Sequence, residues 1–133
     1  SVHGLLDDLY SIRRKNAIEQ DYNELWTKES PPELVPSTDE YISHMKTIMD
    51  NPDAIMAHIY VLHMGDLSGG QLIARKVPGK GRMYQFSEDV KILKERIRKK
   101  THDGMADEAR WVFSSSTKLF QDLMEIDSEH YLE

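Results

Sequence analysis

The chain has no cysteine, so a disulfide framework and a thiolate-bound metal are both excluded. That absence fits a cytoplasmic setting. No apolar run approaches the roughly 18 residues of a membrane span. The first residues lack the apolar core of a secretory leader, and the closing stretch from Asp127 to Glu133 offers no hydrophobic anchor. A soluble protein without a membrane partner is expected. An excess of positive charge is also missing: 17 Lys and Arg stand against 23 Asp and Glu, for a formal charge of −6. Nucleic acid is therefore not expected as a partner. No alternating stretch is longer than Arg82–Phe86, so no sheet is expected, and there is no repeat, low-complexity tract or linker. Glycine is scarce as well, at seven residues, which makes its placement informative.

What is present suits one compact all-α domain spanning residues 1–133, with 39% hydrophobic and 30% charged residues. Leu5, Leu6, Leu9, Ile12, Ile18, Tyr22 and Leu25 recur at mostly three- and four-residue spacing. They predict one amphipathic helix over 4–26, or two short ones meeting near Arg13. Ser30-Pro31-Pro32 stops it, and Pro36 to Asp39 reads as a loop and N-cap. A helix from about Asp39 to Asp50 turns Tyr41, Ile42, Met45, Ile48 and Met49 inward. Asn51-Pro52-Asp53 opens the next, over 52–76, with Pro in its first turn. The turn Pro78 to Gly81 ends it, and further helices follow over 87–100 and 106–125, separated by Asp103-Gly104.

Three of the seven glycines fall at 65, 69 and 70, inside the 52–76 helix. A helix interior loses up to about 1 kcal/mol for each Gly relative to Ala. Gly65 and Gly69, four apart, share a face and let the backbone approach something flat or bulky, with the carboxylate of Asp66 beside it. Leu67-Ser-Gly-Gly-Gln71 has the letters of the signature loop of transport ATPases. That reading lacks the strand–loop–helix that cradles phosphate. His58 and His63 lie five apart, about 140° around the helix, which is poor geometry for one shared metal; each reads better as a packing residue. No Glu-x-x-His pair supports a carboxylate-bridged di-iron bundle.

Haem suits the glycines, because its plane is wide and apolar and Asp66 is placed to organise water near a bound oxygen. Lys91, Lys94, Arg96, Arg98, Lys99 and Lys100 crowd ten positions. They read as a solvated face, a clamp for an anionic ligand such as the haem propionates, or a dock for an acidic protein.

Met64-Gly-Asp-Leu-Ser-Gly-Gly-Gln71, preceded by Met56-Ala-His-Ile-Tyr60, resembles the distal-helix signature of the haem oxygenases. Arg14-Lys-Asn-Ala-Ile-Glu-Gln-Asp21 is similar to the segment upstream of that helix. Asp107 to Phe113, followed by Lys118-Leu-Phe120, resembles the family's last core helix, and Phe86 falls where the family has an aromatic. The resemblance runs over about residues 10–125. It implies a haem-oxygenase-like helical bundle in which Gly65 and Gly69 press on the distal face of haem and Asp66 is the distal aspartate. It also implies that Tyr60, Lys94 and Arg98 contact propionates, and that Phe113 and Phe120 line the pocket.

The implied reaction opens haem to biliverdin and releases iron and carbon monoxide. Haem is both cofactor and substrate, O2 is the oxidant, and electrons come from ferredoxin or a flavoprotein reductase. A non-catalytic haem- or tetrapyrrole-binding protein on the same fold is the alternative, and a non-haem di-iron oxidase a third. The chain departs from the family in three ways. Most of the family's N-terminal portion, with its iron-ligating His, has no counterpart before Arg14, which leaves His3 as the candidate proximal ligand. His63 stands where the family carries Tyr, and Leu62 where it carries Arg. A homodimer is one way to cover the surface that the missing helices leave bare.

Overall fold

A computed structural model describes residues 3–132, with side chains described up to Ile126. Its elements are helices: α1 (Lys15–Leu25), α2 (Pro36–Ile48), α3 (Pro52–Ser68), α4 (Gly70–Ala74), α5 (Val90–Lys99) and α6 (Ala106–Leu132). Single 3-10 turns stand at Tyr10–Ile12, Arg82–Tyr84 and Asp103–Met105. No strand occurs among the described residues, as the lack of alternation predicts.

The bundle is organised around α3. Asn51 caps it by accepting from the Ala54 amide at 3.2 Å, and Pro52 fills a first-turn position where its missing N–H costs nothing. From there α3 packs against α5, α6 and the Asp103–Met105 turn. Its Met56, Ala57, Ile59 and Leu67 join Leu9, Ile12, Leu93, Ile97 and Met105 in one buried cluster. Leu9, Ile12, Met56, Leu67, Leu93 and Ile97 are fully enclosed. Each contributes about 1.5–3 kcal/mol relative to remaining in water.

The first expected helix is divided. Turns lead from His3 to a 3-10 turn, and α1 begins only at Lys15. Arg14 explains the break. Its guanidinium donates to the carbonyls of Met83 (3.1 Å) and Gln85 (2.7 Å), and also to those of Ser11 and Ile12. It lies 4.2 Å from the centre of the Phe86 ring. Carbonyls that a continuous helix would use internally are thus turned toward one cation, with Arg13 extended at φ −66°, ψ 118°.

α1 itself has no buried residue, and Ile18, Tyr22 and Leu25 are exposed although periodicity sends them inward. It is held by polar bonds instead: Asp21 accepts from the amides of Arg82 and Met83, both at 3.0 Å. Ile42 and Met49 are likewise exposed, because only one side of α2 meets α6. α2 begins at Pro36 rather than Asp39, since a proline at the first helical position needs no partner for an N–H. The expected 52–76 helix breaks once, at Gly69, and resumes as α4.

Candidate functional site

Leu62, Gly65, Gly69 and Leu72 follow one another at three- and four-residue steps, so they form a single stripe along α3 and α4. Leu62, Gly65 and Leu72 are exposed and Gly69 is half-buried. A Cβ built on Gly65 meets nothing within 4 Å, and one on Gly69 meets only the Gly65 carbonyl at 3.6 Å. Gly70 differs: its Cβ would fall 2.8 Å from the Tyr84 ring. Two glycines therefore bare the backbone toward open space, and the third lets α4 close against Tyr84. The bared stretch is a cradle that a side chain would fill, and a flat apolar ring system fits it.

Two aromatic side chains of interest stand on α6. Phe113 and Phe120, seven residues apart and so on one face, are 57% and 67% exposed. Ser116, one turn from each, lines a 240 Å³ cavity together with Leu62 of the glycine stripe and Tyr41 of α2. Phe113 and Phe120 themselves are not among the residues that line it.

Asp66 is half-buried beside the stripe. Burial pushes its carboxyl above the usual range, and the nearby charges of His63 and Arg14 pull it back only in part. Burial holds His63 below the ordinary imidazole value even though its Nδ1–H donates to the Ile59 carbonyl at 3.0 Å. Tyr84 is raised, first by burial and then by the charges of Asp66 and Asp21. A carboxylate, an imidazole, a guanidinium and a phenol thus share one electrostatic neighbourhood. The sequence singles out Asp66; it gives no sign of Arg14 or Tyr84 as its neighbours, because they arrive from 52 positions before it and 18 after it.

Tyr60 is half-buried and packs against the core. Lys94 is half-buried and Arg98 exposed on α5, the helix whose Leu93 and Ile97 face α3. Within the basic stretch, Arg96 pairs with Glu88 at 3.1 Å and Lys100 with Asp8 at 2.8 Å. Among the described residues neither Lys94 nor Arg98 is in an ion pair. His3 lies elsewhere: its Nε2 donates to the Met49 carbonyl at 2.8 Å, just past α2. That point adjoins the start of α3, and Gly65 lies 13 residues along it, about 20 Å at 1.5 Å per residue.

A second polar cluster escapes sequence reasoning. His44 on α2 and His58 on α3 both direct Nε2 at Glu108 Oε1 on α6, at 2.5 and 2.7 Å. Tyr41 hydrogen-bonds His58 Nδ1 at 2.7 Å, and Trp111 stacks on His44 with ring centres 3.5 Å apart. Burial lowers His58 despite its bond to Glu108. Burial raises Glu108, but the bonds from His44 and His58 together outweigh it and leave the carboxyl lowered. His58 reads in the sequence as a packing histidine; no short spacing connects it to partners 14 residues before and 50 after it.

The fold is all-helical among the described residues, and two glycines bare one face of its central helix. The profile of the heme oxygenase family matches residues 3–122, and the chain belongs to that family. It is 29% identical to heme oxygenase 1 of Nostoc sp., over 84% of this chain and 56% of that protein. It is 26% identical to heme oxygenase 1 of Synechocystis sp., over 91% and 60%. It is 28% identical to the heme oxygenase of the alga Rhodella violacea, over 84% and 57%. The chain thus spans little more than half the length of these relatives. No helix among the described residues is long and apolar enough to cross a membrane.

Proposed function

We propose that this chain carries the distal side of a haem-cleaving oxygenase site, which opens haem to biliverdin with release of iron and carbon monoxide. Bound haem would supply the redox-active iron and the porphyrin edge that is oxidised by O2. The rest falls to the chain. Gly65 and Gly69 bring the backbone close to the ring plane, and Phe113 and Phe120 wall the pocket against water. Tyr60, Lys94 and Arg98 hold the propionates, the two cations being unpaired among the described residues.

Asp66 holds a water and passes protons through it. A carboxyl raised by burial yet flanked by Arg14 and His63 is suited to giving and retaking a proton. Electrons come from ferredoxin or a flavoprotein reductase in the cytoplasm. His3 is the residue that the sequence offers to hold the haem iron, for which its imidazole would supply a nitrogen ligand. Its Nε2 is engaged by Met49, so ligation by His3 requires residues 3–9 to move or a second copy of the chain to present it.

The observation that carries this reading is the open space over Gly65. The test is haem titration followed by single turnover with ascorbate or reduced ferredoxin. Uptake by wild type, its weakening in Gly65→Val, and appearance of biliverdin absorbance are the expected results. The engaged state of His3 favours one second reading, a haem- or tetrapyrrole-binding protein without turnover. A Soret band that persists under reductant and O2 would select it.

A further inference from the structure

We propose that His44, His58 and Glu108 form a binding site for one divalent first-row transition-metal ion, separate from the haem face. Their ligand atoms all lie within 4.8 Å of one another. The three residues come from α2, α3 and α6, so a metal here would tie together the three helices that frame the Leu62–Ser116 cavity.

The geometry is that of a closed-up ligand set. Two imidazole nitrogens converge on one carboxylate oxygen, and Glu108 Oε2 makes no hydrogen bond among the described residues. Metal–nitrogen and metal–oxygen bonds of about 2.0–2.2 Å set neighbouring tetrahedral ligands about 3.3 Å apart. Glu108 must then withdraw by a little over half an ångström, on the order of the difference between those spacings. Its side chain is 21% exposed, whereas that of His58 is 4% exposed, so the carboxylate has the more open surroundings into which to withdraw.

Second, the partner that a metal-bound imidazole needs is already present. With Nε2 on the metal, His58 Nδ1–H donates to the Tyr41 hydroxyl, which rotates from donor to acceptor at the same 2.7 Å. Trp111, stacked on His44, fixes the plane of the second imidazole.

Third, there is a way in. A 310 Å³ polar cavity lined by Asn51, Asp53, Gly104, Asp107 and Glu108 opens beside the cluster and presents acidic groups to an approaching cation. Two imidazoles and one carboxylate suit Zn2+, Co2+ or Fe2+ over Mg2+ or Ca2+, which prefer all-oxygen shells. Three protein ligands leave at least one position for water. The site shares no residue with the proposed haem seat, so either proposal can fail while the other stands.

Trp111 provides the readout. Full-length chain carrying Trp26→Phe, with no haem added, is titrated with Co2+ while Trp111 fluorescence and the visible absorption of Co2+ are followed. Saturable quenching at one equivalent is expected, with displacement by Zn2+ and no response to Mg2+ or Ca2+. His44→Ala and Glu108→Gln should each weaken binding by at least about tenfold, and Tyr41→Phe by about tenfold through the lost outer hydrogen bond. His102→Ala, at the exposed His102–Asp53 pair, should leave it unchanged. As a check on folding, Zn2+ should raise the melting temperature of the parent and not of His44→Ala. Absence of saturable quenching, or equal affinity in His44→Ala and its parent, overturns the proposal. So does loss of binding in His102→Ala.

Discussion

The two halves of α3 are built on opposite rules. From Ala54 to Val61, six of eight residues are buried, including His58, on a helix that packs against α5, α6 and the Asp103–Met105 turn. From Leu62 to Gly69 only Leu67 is buried. There the helix loses side chains where the first half interlocks them. One half holds the fold; the other keeps a surface clear. The sharpest contrast is expected from shortening a side chain in each half. Met56→Ala, at 1% exposure, should cost about 2–5 kcal/mol in urea unfolding, the range for emptying a core position. Leu62→Ala, at 40% exposure, should stay below about 1 kcal/mol. Equal losses would break the division.

Past the break at Gly69, α4 opens on the third glycine, Gly70. Gly70→Ala must push aside the Tyr84 ring, whose nearest atom would be 2.8 Å away, and should cost about 1–3 kcal/mol. A second substitution, Tyr84→Ser, should recover part of it. A coupling of about 0.5 kcal/mol or more in the double-mutant cycle would confirm that these two positions share one space. Additivity would show that the strain lies elsewhere.

The helix order and a helix beginning at Pro52 were legible from apolar spacing and the proline signal, and the glycine face from composition within the expected 52–76 helix. Those signals are local. The division before Lys15 was not legible, because it depends on Arg14 meeting carbonyls about 70 positions away. Exposure of Ile18, Tyr22, Leu25, Ile42 and Met49 escaped the periodicity for a related reason. Spacing shows which residues share a face and is silent on whether a neighbour covers it. The His44–His58–Glu108 cluster was hidden entirely, since three helices contribute one residue each. Asp66 stood out by its place among glycines; the charges that tune it did not.

Acid titration separates the halves by sign. Glu108, facing the buried half, is held below its ordinary value. The stability it contributes is present above the unfolded carboxyl value and is lost as pH falls through the lower folded one. Glu108→Gln should therefore cost about 1–3 kcal/mol at neutral pH and flatten the acid limb of the stability profile. Asp66, in the open half, is raised by burial. Its favourable contribution is present below the unfolded value and is lost as pH rises through the folded one. Asp66→Asn should gain on wild type across that window, with the gain vanishing in acid. Urea midpoints measured across the acid range decide both, and parallel profiles for the two variants would erase the distinction.

The smallest stability change is expected where the functional consequence is greatest. Gly65 has an ordinary helical backbone, since its φ is not positive, and an added Cβ meets nothing within 4 Å. Gly65→Ala should therefore leave the fold unharmed and raise its stability by up to about 1 kcal/mol, the difference in helix propensity. On the proposed reading, the same methyl group projects into the space the ring plane would occupy. Haem affinity should fall and the ferric spin-state bands shift, while Leu72→Ala, on the same stripe but past the break, should change both less. A substitution that strengthens the protein and weakens its ligand is the mark of a residue kept for a surface rather than for folding. If Gly65→Ala binds haem as wild type does, the bare stripe is not where the ring rests, and the gain in stability would leave the glycine without a reason.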